Sequence, residues 1–387
     1  MTIMNLDTIV VEWDNLQQLT QAFKGMMVLE SIQVQGAPNL YRCHSGSLQA
    51  LQQAVINEQW KKGLLIHGEQ SWRVAKPYLD KLNLNLTGVR YCGECTEAEV
   101  DRLAAKAEIE QAEYILAVGG GKILDLGKAC AIKLNIPYLL VPTLASNCAP
   151  WTPLSVFYNE EGTFIKHIVY AQNAYLVAVE PELILNSPVA FLRAGIGDTI
   201  AKWYEADVLA RQLKRKPLAV TIALNAAQLC RDLLLKYGEQ AIVDHENKEL
   251  TPAYLQVIET IIMAGGMVGG FGERYGRIAG AHSIHNGLTA LAETHEQLHG
   301  DKVAYGILVQ LALENRFDEI EELLPYYRRL GLPAALRELG VKDQLDLAFE
   351  CVAQTATRPS ESIHLMENAS KESVAHAMKR LEAWIAI

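Results

Sequence analysis

The chain has 387 residues, half of them hydrophobic, a net charge of −10 and a calculated pI near 5.6. A core of that size suits more than one domain, and an acidic chain without a Lys/Arg-rich run argues against nucleic acid as a partner. Seven cysteines, an odd number in a long chain, exclude a disulfide framework and fit reduced thiols in a cytoplasm.

Residues 1–33 carry a β-rich run, Thr8 to Val11, and a short helical stretch; they read as an extension without chemistry of its own. No basic region followed by an apolar core marks a signal peptide there. Beyond it, short apolar runs recur at Gly63–Ile66, Tyr114–Val118, Tyr138–Val141 and Tyr175–Val179, with helical segments between them. Continuous apolar runs of this length fit strands buried on both faces of a parallel sheet. Thr96 followed by Glu99 has the form of a capping box at a helix start. Cys92 and Cys95 make a C-x-x-C, but no second pair completes a zinc site, so incidental thiols are expected. After a boundary near Pro181 to Pro188 the strand signals stop and helical composition takes over, with Leu347, Cys351 and Gln354 in helical rhythm. The expected organisation is an α/β domain over 1–186, including the extension, and an all-α domain over 187–387. The most apolar long window, Tyr254 to Gly272, holds Glu259 and five glycines and reads as a buried helix and loop, so no membrane partner is expected.

Three stretches carry candidate chemistry. Val118 to Lys128 follows a strand, contains Gly119, Gly120 and Gly121, and opens a helix; such a turn lets backbone N–H groups approach a pyrophosphate. It is neither a Walker A loop nor a G-x-G-x-x-G, and a purely structural turn fits as well. Val141 to Pro153 follows the next strand and offers hydroxyls, an amide and an indole at the end where ligands sit in open α/β sheets. Gly280 to Gly306 holds His282, His285 and His299, the first two on one helical face, and Asp198 lies upstream in Ala194–Asp198. A carboxylate with two imidazoles suits a borderline divalent ion such as zinc or iron. By spacing alone, a histidine on a partly apolar helix is more often a hydrogen-bonded core residue than a ligand.

Taken together, Gly119–Asp125, Pro142–Ser146, Gly195–Asp198, His282–Gly287 and His299–Val303 resemble, in the same order, motifs of the iron-containing alcohol dehydrogenase superfamily, in its glycerol dehydrogenase-like branch. The resemblance spans roughly residues 36–387. It implies an N-terminal dinucleotide-binding α/β domain with a parallel, Rossmann-like sheet, an all-α C-terminal domain in a dehydroquinate synthase-like fold, and a cleft between them. It implies one divalent metal, zinc or iron, on Asp198, His282 and His299. It carries over cofactor contacts to Gly119, Gly120, Gly121, Lys122 and Ile123, to Thr143, Leu144 and Ser146, and to Thr152, Leu154 and Tyr158. A small-molecule substrate and a homo-oligomer are expected.

Three departures from the glycerol dehydrogenase pattern refine this. Cys148 stands where those enzymes have Asp, which removes a charge that would repel an anionic substrate. Lys202 lies four residues after Asp198, so on a helix it shares that face and is placed to hold a carboxylate; a salt bridge with Glu205 is the competing role. Gly68 stands where NAD-preferring relatives carry Asp, which admits a 2′-phosphate paired by Arg73 or Lys76, whereas Glu69 argues the other way; the cofactor is NADP or NAD. The expected reaction is hydride transfer from NAD(P)H to a 2-oxo acid, with Lys202 anchoring the acid and His285 either relaying a proton or bonding to a neighbour. Trp151 is expected in the core and His295 is a competing ligand. A glycerol or polyol dehydrogenase and a dehydroquinate synthase-like lyase are the alternatives.

Overall fold

Among the described residues, eight strands, all before residue 180, and a succession of helices after it organise the protein. The computed structural model describes residues 32–386, so the expected Thr8–Val11 strand lies outside the described residues. The strands are β1 (Leu40–Cys43), β2 (Gly63–His67), β3 (Leu86–Arg90), β4 (Tyr114–Gly119), β5 (Tyr138–Pro142), β6 (Leu154–Tyr158), β7 (Phe164–Val169) and β8 (Leu176–Val179). Six of them form one parallel sheet in the order β1-β8-β5-β4-β2-β3, and β6 and β7 pair as a separate antiparallel hairpin.

The four apolar runs are the four inner strands. β4, β5 and β8 are buried throughout, as helices on both faces require. The edge strands β1 and β3 alternate in exposure instead and lack a continuous apolar signal, as does the hairpin. Helices α1 (Gln49–Asn57), α2 (Glu69–Leu79), α3 (Glu97–Ile109) and α4 (Gly121–Leu134) connect the strands. Thr96 caps α3 by accepting from the Glu99 amide at 3.1 Å. Only half of the expected capping box forms, because the Glu99 carboxylate instead binds Arg102 and the Cys92 amide. Cys95 is buried and Cys92 exposed, and both are free thiols.

The helical part comprises α5 (Pro181–Leu185), α6 (Val189–Ala210), α7 (Leu218–Asn247), α8 (Pro252–Glu259), α9 (Gly265–Gly272), α10 (Gly280–Leu288), α11 (His299–Leu313), α12 (Phe317–Leu330), α13 (Leu345–Ala356) and α14 (Lys371–Ile385). A π-helical segment, Thr260–Ala264, joins α8 to α9, so the apolar window expected as helix and loop is one helical run. That run and α7 are long and apolar enough to cross a membrane by composition, with 67% and 33% of their apolar windows buried in the protein. In α13 the helical rhythm is right but the face is not: Phe349, Val352, Ala353 and Ala356 are buried, while Leu347 is 65% exposed. Trp151 lies in the core, its indole N–H donating to the Gly36 carbonyl at 2.9 Å.

Candidate active site

Helix α6 presents Asp198, Lys202 and Glu205 at spacings of four and three, and all three are buried on one stripe. Glycines bring that stripe to its neighbours. A Cβ on Gly195 would meet the Ala145 carbonyl at 2.0 Å, and one on Gly300 would meet the Ala194 carbonyl at 1.8 Å. The loop after β5 and the start of α11 therefore rest directly on α6, and the second contact carries His299 to Asp198. On Gly280–Leu288, His282 approaches the same carboxylate.

Donor atoms of Asp198, His282 and His299 all lie within 4.8 Å of one another, the one such group of three among the described residues. Asp198 Oδ1 is 3.3 Å from His282 Nε2 and 3.1 Å from His299 Nε2. Bonds of about 2.1 Å to a common ion separate neighbouring donors by roughly 3.0 Å in an octahedron and 3.4 Å in a tetrahedron, so the set fits a divalent cation. Proton placement agrees. Glu205 Oε2 is 2.7 Å from His282 Nδ1, so that nitrogen donates, and neutral His282 turns a lone pair on Nε2 towards the Asp198 carboxylate. Two acceptors facing each other need a proton or a cation between them. Burial depresses the His282 pKa, but Glu205 outweighs it and leaves it raised, so positive charge is favoured at this point. Burial likewise opposes ionisation of Asp198, yet Lys202 and the two histidines hold its carboxyl well below the usual range.

Glu205, which the sequence offers only as a competing partner for Lys202, is the residue that sequence reasoning missed. Its Oε1 accepts from the amides of Ala279 at 2.7 Å and His282 at 2.9 Å, capping α10 from outside because Ala279 has no side-chain oxygen. The signal available was its place seven residues after Asp198, two helical turns along the same stripe. His285 meets His299: its Nε2 is 3.0 Å from His299 Nδ1, and its own Nδ1 is 3.0 Å from Asn286 Oδ1. Asn286 in turn donates to Glu361 at 2.9 Å. Burial, with His299 and Lys302 nearby, keeps the His285 pKa well below its ordinary value, so the ring is neutral. His295 bonds the Thr289 carbonyl and stands apart from the cluster.

Lys202 is buried, and its ammonium donates to the Arg277 carbonyl at 3.2 Å. Among the described residues no carboxylate lies within 4 Å of it. Burial lowers its pKa, but Asp198 and Glu205 nearby leave it raised, so it is charged. Cys148 sits by this group, and burial pushes its thiol up.

Of the other expected residues, Gly68, Gly119–Ile123, Thr143, Leu144 and Ser146 lie at the carboxyl ends of β2, β4 and β5, and Thr152, Leu154 and Tyr158 lie at and before β6. Gly120 caps α4 in an extended conformation, so the glycines answer to space and not to a left-handed backbone. A Cβ on Gly119 would meet Ile123 at 2.4 Å, and one on Gly120 would meet Leu144 at 2.8 Å. Ile123 also faces Gly68, where a Cβ would lie 3.0 Å from it. Thr143 donates its amide to the Gly119 carbonyl, and the Ser146 backbone packs on Gly195. Lys122 pairs with Glu94 at 2.5 Å and lies over the Tyr158 ring. The buried Lys128 ammonium binds Asp125 at 2.7 Å and the carbonyls of Ala149, Thr152 and Leu154, which fixes the segment carrying Thr152 and Leu154. Near Gly68 the structure differs from expectation: Arg73 bonds Gln70 and Lys76 pairs with Asp80, while Arg90, paired with Glu69 at 2.8 Å, lies at the end of the neighbouring strand.

Comparison with known proteins adds the family. The iron-containing alcohol dehydrogenase family model matches residues 38–181. Hydroxycarboxylate dehydrogenase A of Escherichia coli (strain K12) is 42% identical, over 91% of this chain and 98% of that protein. Glycerol dehydrogenase of Pseudomonas putida is 40% identical, over 74% of this chain and 79% of that protein. The crystal structure of a probable glycerol dehydrogenase from Sinorhizobium meliloti 1021 superposes with a TM-score of 0.81 at 31% identity, covering 91% of this chain and 99% of that one. The sheet, the helical region and the convergent Asp-His-His group thus have a common explanation: the chain belongs to the iron-containing alcohol dehydrogenase family, an oxidoreductase of the alcohol and hydroxycarboxylate dehydrogenase class that acts on a small molecule with NAD(P) and a divalent metal.

Proposed function

We propose that the protein reduces a 2-oxo acid to the 2-hydroxy acid, reversibly, using NAD(P)H and one zinc or iron ion held by Asp198, His282 and His299. The observation that supports this reading most is Lys202: a buried, charged ammonium beside the Asp-His-His group with no carboxylate within 4 Å among the described residues. A buried charge left unpaired is costly, and a substrate carboxylate offsets that cost.

When bound, the divalent ion supplies Lewis acidity towards the keto oxygen, and the nicotinamide supplies the hydride. Lys202 holds the acid end. Cys148, neutral because its thiol stays protonated, gives room there without the charge a carboxylate would add. His285 accepts from His299 Nδ1 and donates to Asn286, which fixes the His299 ring with Nε2 towards Asp198. Gly119 to Ile123, Thr143, Leu144, Ser146, Thr152, Leu154 and Tyr158 contact the dinucleotide. Gly68 removes the carboxylate that would repel a 2′-phosphate, and Arg90 ends the neighbouring strand, so NADPH is the preferred donor.

Steady-state rates of the metal-reconstituted protein with 2-oxobutanoate, 2-oxoglutarate and glycerol, each with both nucleotides, test the proposal. Faster turnover of glycerol than of either acid refutes it and favours the polyol dehydrogenase alternative, which the glycerol dehydrogenase relatives support. The lyase alternative requires no net NAD(P)H turnover and is set aside by the family.

A further inference from the structure

Among the described residues, a second cation near Cys148 is left without a partner, and no sequence motif points to it. Arg277 lies in the segment between α9 and α10. Among the described residues its guanidinium makes no hydrogen bond and no ion pair within 4 Å. Its place is set by glycine. Gly276 is required because a Cβ there would meet the Val268 carbonyl at 2.2 Å, which turns the chain back along α9. On α9, Gly265 and Gly269 form one bare stripe a single turn apart. Cys148 lies on the first, with its Cβ 3.6 Å from where a Gly265 Cβ would be. Arg277 lies on the second, with Cγ at 3.4 Å and Nη1 at 3.7 Å from a Gly269 Cβ. The two glycines are about 6 Å apart along the helix axis, so Cys148 and Arg277 are neighbours on that stripe. The Arg277 carbonyl is the group that Lys202 binds at 3.2 Å. One short segment therefore anchors one cation and carries the other.

We propose that Arg277 is a carboxylate-binding residue of the substrate pocket, its guanidinium taking the acid group of the 2-oxo acid in concert with Lys202. This rests on the 2-oxo acid reading above and adds the group that selects for it. The planar fork of Arg matches a carboxylate with two parallel N–H donors, which an ammonium cannot do. Burial lowers the Arg277 pKa, and Glu273, the carboxylate that acts on it electrostatically, stands more than 4 Å away. The charge is thus desolvated without close compensation, a cost that a bound anion removes.

The test compares wild type with R277M and R277Q in the metal-loaded enzyme, each checked for fold by circular dichroism. Two substrates are used: 2-oxobutanoate, and hydroxyacetone as an uncharged ketone. The ratio of their kcat/KM values falls by about 10- to 100-fold in both variants, the range for losing a charged hydrogen bond. Oxamate, an unreactive 2-oxo acid analogue, binds wild type in calorimetry and loses a similar factor in the variants. Where R277M does not fold, R277Q decides. A ratio and an oxamate affinity within threefold of wild type overturn the role of Arg277 and leave the 2-oxo acid reading standing. A wild-type enzyme that ignores oxamate and prefers glycerol overturns both.

Discussion

Replacing Glu205 with Gln tests whether the buried carboxylate sets the proton on His282. Glu205 Oε1 takes the Ala279 and His282 amides, and Oε2 takes His282 Nδ1 at 2.7 Å. In E205Q the amide oxygen keeps the two backbone bonds, so α10 stays capped and the fold is retained. The new NH₂ then faces His282 Nδ1, where a donor now meets a donor. His282 relieves this by moving its proton to Nε2, which removes the lone pair offered to the ion. Holding the old tautomer instead forfeits a charge-assisted bond worth about 1.5–3 kcal/mol. Either route weakens zinc binding by about 10- to 100-fold, the usual cost of losing a ligand's outer hydrogen-bond partner. Competition against a chromophoric chelator measures the affinity, and melting of the two metal-free proteins checks that stability is shared. A zinc Kd within twofold of wild type refutes the tautomer argument.

Four further outcomes are expected. Chelation abolishes activity and lowers Tm, and zinc or iron restores both; at free ion one hundred times Kd the stabilisation is about 2.7 kcal/mol, read by urea unfolding with and without metal. G300A destabilises by at least about 1–3 kcal/mol and weakens metal binding, because a Cβ 1.8 Å from the Ala194 carbonyl pushes α11 and His299 off α6; thermal melts and metal titration report it. G68D shifts the NADH over NADPH ratio of kcat/KM upwards by at least about tenfold, since a carboxylate there repels a 2′-phosphate. The fourth concerns pH. Burial lowers the pKa of His245 from its ordinary 6.5, and the neutral ring is held by the Ser187 carbonyl and the Tyr254 hydroxyl. The unfolded chain therefore takes up a proton below about pH 6.5 that the folded one does not, so this contribution is full above 6.5 and is lost as pH falls towards the folded value. The stability difference between wild type and H245Q, from urea titrations at pH 7.5 and 5.5, shrinks at the lower pH.

How much of this was legible in the chain depended on where each signal was written. The inner strands announced themselves because burial on both faces demands continuous apolar runs, as in Tyr114–Val118 and Tyr138–Val141. β1 and β3 were silent because each has an exposed side, and Leu40 and Arg90 blend with loop composition. The metal group was legible as motifs whose convergence only the fold could supply: Asp198 and His299 are joined through Gly195, Gly197 and Gly300, whose spacing says nothing about which backbones they admit. Glu205 was hidden by a plausible local partner. The four-residue spacing to Asp198 singles out Lys202 and offers Glu205 only as its competing partner, yet that carboxylate is held by two backbone amides and an imidazole of a distant helix. Arg277 had no periodicity or motif at all, since its position depends on a bare stripe of α9.

Charge balance links these residues to the substrate. Lys202 and Arg277 cancel Asp198 and Glu205 when all four are ionised and the histidines are neutral ligands. A divalent ion added to that group leaves a net charge of about +2. Hydride transfer builds one negative charge on the ketone oxygen and leaves one positive charge on the nicotinamide, so the step itself adds no net charge, and a neutral polyol brings none. A 2-oxo acid brings its carboxylate, a net negative charge that offsets part of the excess. Removing Arg277 drops the surplus to about +1, which weakens the pull on an acid and leaves an uncharged ketone or alcohol less affected. The variant that loses acid reduction is therefore also the one in which neutral substrates gain relative standing, a direction of change that loss of packing alone does not produce.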